Sequence, residues 1–126
     1  MPLDPGLASL LSYVVADRDT ALAMGSGDVP VLATPRVVAL VEAATCAAVA
    51  GHITPDLTTV GTRVEVDHLA PTPVGATVTV EAVLEAVDGR KLTFGVRLRD
   101  EERDVATGTV TRVLVTRDRF LRTASG

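Results

Sequence analysis

The chain has 126 residues, of which 47% are apolar and 2% aromatic, and a net charge of −4. This composition suits one packed domain over residues 1–126 and excludes disorder, a basic nucleic-acid surface and a base-stacking platform. Cys46 is the only cysteine, which rules out an internal disulfide, and its spacing from His52 and His68 makes no metal-site pattern. The opening MPLDPGLASLL lacks the basic start of a secretion signal, and no apolar run reaches membrane-spanning length uninterrupted. A cytoplasmic protein with no membrane segment is expected.

Leu7 to Val15 is apolar, with Tyr13 and two valines, and reads as a first strand. Asp17 to Met24 reads as a short helical turn, and Gly25-Ser26-Gly27-Asp28 as a flexible link. Lacking the Lys-Ser or Lys-Thr of a phosphate loop, that link reads as a flap. The central element follows. In Thr34 to Gly51, Thr34 is an N-cap by type, Pro35 suits the first helical position, and Gly51 suits a left-handed stop. Six alanines and five valines or leucines cover nearly every side of this helix. A helix apolar all round is a buried helix. Cys46 within it is expected to be a small buried residue.

From Thr59 onward the pattern alternates. Val60, Thr62, Val64, Val66 and His68 share one face of a strand, with Gly61, Arg63, Glu65 and Asp67 on the other. Two prolines and a glycine break the chain at Ala70 to Gly75. Val78 to Ala86 forms the next strand, Asp88-Gly89 a tight turn, and Leu92 to Leu98 the return. A charged turn, Asp100 to Asp104, precedes a last strand from Val105 to Val115, whose phase leaves the direction of Arg112 open. Short connections make sequence neighbours the expected sheet neighbours. The order defines an α+β fold, an antiparallel sheet wrapped around a long central helix: the hotdog arrangement. Its aromatic-poor core further suggests an oligomer.

Glu42 is the chief anomaly. It is the only acidic residue between Asp28 and Asp56, and no cation stands three or four residues away on the helix. A charge on such a helix is costly unless something offsets it, so Glu42 either pairs with an outside arginine or does chemistry. His68 lies on the buried phase of its strand, either bonded to a backbone carbonyl or acting on a proton. Thr34 caps the helix or acts beside its free N–H groups. Gly61 is a bulge or a close backbone approach to a ligand. His52, after the helix, fits a dipole role.

The runs VLATPRVVALVEAATCAAV, VGTRVEVDHLAPTPVGATVTVEAVLEAVDGRKLTF and GTVTRVLV together resemble the fluoroacetyl-CoA thioesterase family of hotdog proteins, over Val29 to Val115. The resemblance implies Thr34, Glu42 and His68 as the catalytic set, with Gly61 and Arg112 at the substrate. It also implies an acyl-CoA substrate that brings its own coenzyme A, no separate cofactor, and a homodimer with each site at the subunit interface. The chain departs from the family's enzyme in carrying no aromatic residue between Tyr13 and Phe94. Two other functions fit the same fold: an acyl-CoA hydratase or dehydratase, and a non-catalytic acyl-CoA-binding domain.

Overall fold

The computed structural model describes residues 3–125. Strand β1 (Ala8–Val14) leads through a 3-10 turn (Asp17–Asp19) and a single-turn helix α1 (Ala21–Met24) to the main helix α2 (Thr34–Val49). A second 3-10 turn (Ala50–His52) precedes β2 (Leu57–His68), β3 (Thr77–Asp88), β4 (Lys91–Arg99), β5 (Asp104–Thr116) and a C-terminal helix α3 (Arg117–Ser125). One antiparallel sheet holds all five strands in the order β1-β3-β4-β5-β2.

The sheet covers one side of α2. Val37, Leu40, Val41, Ala44 and Val49 are buried against the alternate residues of β3 and β4, chiefly Val80, Leu84, Leu92, Phe94 and Leu98. The period of two in those strands delivers this face as expected. At the β3–β4 hairpin, Gly89 takes φ +59°, the conformation a two-residue turn asks of its first central residue.

Several sequence-based expectations are corrected. Thr34 begins α2 but does not cap it; the capping position belongs to Ala33, and no side chain bonds the free amides. Gly51 does not stop the helix with a left-handed turn, because the chain runs on from Ala50 into the 3-10 turn. Cys46 is exposed in the single chain, along a stripe of small residues with Ala39, Ala43 and Ala47. The segment Thr34–His52 is, at 19 residues, long and apolar enough to cross a membrane by length and composition alone, although here it is the core helix of the sheet. Beyond the predicted last strand, which ends at Val115, the chain forms α3.

The largest topological correction concerns β2. It pairs with β5, not with its sequence neighbour β3, and sits at the sheet edge opposite β1. A bulge lies between Gly61 and Arg63, where Thr62 has no partner. That extra residue flips the strand's phase. Thr59 and Gly61 therefore face the helix on one side of the bulge, and Val64, Val66 and His68 on the other.

Candidate active site

The helix start and the end of β2 meet. Pro35 has no N–H to offer, and the Ala33 carbonyl accepts from the Arg36 and Val37 amides at 3.1 and 3.0 Å, so the first turn closes without help from Thr34. Its hydroxyl is free for another partner and stands 2.8 Å from Nδ1 of His68. His68 is the last residue of β2. The strand end is fixed just beyond it by the Leu69 amide, which donates to the Val105 carbonyl at 2.7 Å. The ring is half-buried, and its Nε2 is shielded from solvent with no hydrogen-bond partner among the described residues. Burial lowers the His68 pKa below its ordinary 6.5, against the opposing effect of the Ala70 backbone. Burial thus favours the neutral imidazole over the charged form.

This pair opens on a cleft of about 410 Å³ walled by Ser26, Gly27, Asp28 and Val29 of the flap and by Leu69 and Pro71. The flap is a small hairpin: Ala21 and Leu22 donate their amides to the carbonyls of Val31 and Val29 at 2.9 and 3.1 Å. It stands where the sequence places it, beside the helix N-terminus.

A second polar cluster occupies the middle of α2. Arg112, on β5, is 6% exposed, so its phase points inward. Its Nη1 donates to Glu42 Oε2 at 3.1 Å, its Nε to the Thr59 hydroxyl at 2.8 Å and its Nη2 to the Thr59 carbonyl at 3.0 Å. Arg112 is the cation that the helix does not place three or four residues from Glu42. Gly61 faces Arg112 across the β2–β5 ladder, and a Cβ there would overlap the Glu42 carboxylate. Glycine at that position keeps space open for the acid.

The five site residues thus fall into two groups in one chain, Thr34 with His68 and Glu42 with Arg112 and Gly61. Eight residues along α2 separate Thr34 from Glu42, a rise of about 12 Å. No hydrogen bond joins Glu42 to Thr34 or His68 within the chain. Sequence reasoning missed Thr59, a buried polar residue that looked like a strand threonine; the bulge that turns it inward leaves no clear mark in the sequence beyond Gly61.

A curled antiparallel sheet around one long helix defines a hotdog-fold protein. The profile of the fluoroacetyl-CoA-specific thioesterases matches residues 15–118, and the chain belongs to that family. A fluoroacetyl-CoA thioesterase of Streptantibioticus cattleyicolor is 38% identical over 90 residues, covering 71% of this chain and 65%, just under two thirds, of that protein. A solved fluoroacetyl-CoA thioesterase superposes with a TM-score of 0.92 at 29% identity, covering 99% of this chain and 97% of its own. A mutant of such an enzyme in complex with fluoroacetate and CoA gives 0.88 at 31% identity, over 94% and 99% of the two chains. A Thermus thermophilus hypothetical protein of the thioesterase superfamily, 24% identical, shares the fold at a TM-score of 0.90, over 98% and 92%.

Proposed function

We propose that the protein is an acyl-CoA thioesterase that hydrolyses a small or medium acyl thioester to the free acid and CoA. The observation that carries this reading is the Thr34 hydroxyl, 2.8 Å from the His68 ring nitrogen at the mouth of a cleft. Thioester hydrolysis needs an activated nucleophile and donors for the oxyanion that develops on the carbonyl. A neutral His68 takes the proton of Thr34, or of a water beside it, as that oxygen attacks the thioester carbon. The N-terminal amides of α2 lie at the positive end of the helix dipole and suit the oxyanion. Return of the proton from His68 to the departing sulfur releases CoA, and water resolves any acyl group left on Thr34.

In this reading the working form is a cytoplasmic homodimer without a separate cofactor. Two features support the dimer: the exposed stripe of small residues on α2, and the outer edge of β2, which has no strand partner among the described residues. Glu42, one-third exposed in the single chain, joins the Thr34–His68 pair of a second copy across that interface and serves as the second base. Arg112 and Gly61 line the substrate beside it.

The test is thiol release from a panel of acyl-CoA esters, fluoroacetyl-CoA among them. The flap carries no aromatic side chain, so the acyl group is read from the panel, not assumed. Release of thiol with the acyl chain otherwise unchanged is expected. A shifted or hydrated double bond would make the protein a hydratase, and tight binding without turnover would make it a binding domain.

A further inference from the structure

A buried carboxylate with no part in the proposed chemistry lies at the root of the flap. Asp19 is 2% exposed. Its Oδ2 accepts from the Tyr13 hydroxyl at 2.7 Å and from the Ala16 amide at 2.8 Å. Its Oδ1 stands 3.1 Å from Nε of Arg36, an ion pair without hydrogen-bond alignment. The Arg36 guanidinium lies over the Tyr13 ring at 4.8 Å, a cation–π contact in a mostly desolvated place. Burial alone would raise the Asp19 pKa, but the Ala16 amide, the Tyr13 hydroxyl and the charges of Arg36 and Arg18 outweigh it and hold the carboxyl below its ordinary 3.8. Asp19 is therefore a fixed anion at neutral pH.

The backbone of the same residue makes a further bond. The Asp19 carbonyl accepts the Ala33 amide at 2.9 Å. Ala33 immediately precedes Thr34, and Arg36 follows two residues later. Asp19 thus holds the chain on both sides of Thr34, with its main chain before and its side chain after. Tyr13 fixes the arrangement to β1, the edge strand of the sheet.

We infer that Asp19, with Arg36 and Tyr13, is a positioning device that holds the Thr34 hydroxyl on His68 while the flap beyond Thr20 opens and closes. Such a hold matters to the chemistry, because an oxygen displaced by about 1 Å from its base can lose ~100-fold in rate. Thr34, exposed at a helix start that follows the flap, would otherwise share the flap's motion. The Asp19 cluster isolates the one from the other. This assignment rests on the thioesterase reading for its kinetic consequence, but its structural consequence is independent of any substrate.

The experiment therefore has two arms, applied to Asp19→Asn, Arg36→Gln and Tyr13→Phe. In the first, the His68 ring nitrogens are followed by 15N NMR in the ligand-free protein, with Thr34→Ala marking the signal of a ring that has lost its partner. Asp19→Asn and Arg36→Gln are expected to move the Nδ1 signal toward that mark, and Tyr13→Phe to move it less. In the second arm, kcat for the best CoA ester should fall about 10- to 100-fold in Asp19→Asn while KM changes by less than about threefold, as loss of orientation without loss of binding requires. If Asp19→Asn fails to fold, Arg36→Gln and Tyr13→Phe decide the matter, since both leave the buried carboxylate its Ala16 bond. Folded variants whose Nδ1 signal stays at the unsubstituted position overturn the assignment, whatever their turnover. An absence of turnover in the unsubstituted protein, with the Nδ1 signal moving as expected, overturns the thioesterase reading and leaves the positioning role standing.

Discussion

Gly61 lies under the carboxylate of Glu42, so close that a single added methyl group would occupy the place of Oε2 and press on Nη1 of Arg112 at 3.3 Å. The strand bulge sets this relationship, because it turns Gly61 toward the helix.

Gly61→Ala should damage function far more than stability. The atom displaced is the far end of a flexible side chain, so the fold accommodates it at a cost of about 1 kcal/mol or less. The carboxylate cannot then keep both its position and its bond to Arg112, and turnover should fall ~100-fold. Steady-state thiol release and thermal unfolding check the two halves. A variant as active as the unsubstituted protein would show that the geometry of Glu42 does not matter.

Glu42→Gln should lower hydrolysis by about two orders of magnitude, with a loss of stability of about 1 kcal/mol. The new amide oxygen still accepts from Arg112, and Glu42 is one-third exposed, so its charge is partly screened. Arg112→Ala should cost more, about 3 kcal/mol, because it strips the Thr59 hydroxyl and carbonyl of their donor inside the core. Denaturant unfolding of both variants gives the order. Equal losses would mean that Arg112 acts only as a counter-charge.

The pH dependence follows from His68. Its folded pKa lies below the ordinary 6.5, so the unfolded chain binds the proton more readily. The contribution to stability is present above pH 6.5 and is lost as pH falls through the lowered value. Asp19 adds a separate loss of the same sign at more acid pH, below 3.8. Activity should show an acid limb with its midpoint under 6.5. NMR titration of the ring is the direct check, and a midpoint at or above 6.5 would contradict the role of a neutral base at the cleft.

The flap should divide into two parts by hydrogen exchange. Amides at its root, near Asp19 and Thr20, are held by the buried cluster and the Thr20–Leu32 bridge. The exposed tip, residues 24–30, has few such bonds and should exchange fast, then slow when a CoA ester is bound. Uniform exchange along residues 17–31, with or without ester, would remove the idea of a gate on a fixed base.

The central helix and the wrapped sheet were legible because each rests on local pattern, whereas the grouping of Thr34, Glu42 and His68 came from the family resemblance, and within one chain only Thr34 and His68 meet. Thr34-Pro35 before an apolar run marks a helix start, and β4 and the first half of β3, as far as Leu84, alternate cleanly. What escaped depends on long-range pairing. The partner of β2 is β5, and one unpaired residue, Thr62, reverses which side Thr59 and Gly61 face. Alternation alone therefore put Gly61 on the wrong face and could not place Arg112. Thr34 has the chemistry of a cap, yet Ala33 takes that position and leaves its hydroxyl to His68. Asp19 passed as one of several polar residues before a flexible link, since nothing in its neighbours announces a carboxylate at 2% exposure.

The strand order has a consequence for how the molecule assembles. Strands β3, β4 and β5 form a meander whose partners are close in sequence, Asp88 against Lys91 and Arg99 against Asp104. The outer strands join from far away, Ala8 against Val83 and Leu57 against Thr116. Closing those long loops costs entropy that the meander does not incur, so β1 and β2 are expected to dock last. Thr59, Gly61 and His68 all lie on β2. A refolding chain should therefore reach a stage with a protected β3–β5 core and no site at all, visible in pulse-labelled exchange as late protection of residues 57–68. Residual activity would then report on the docking of a single edge strand, and a destabilised variant could lose the β2 side of the candidate site while most of its sheet remains folded.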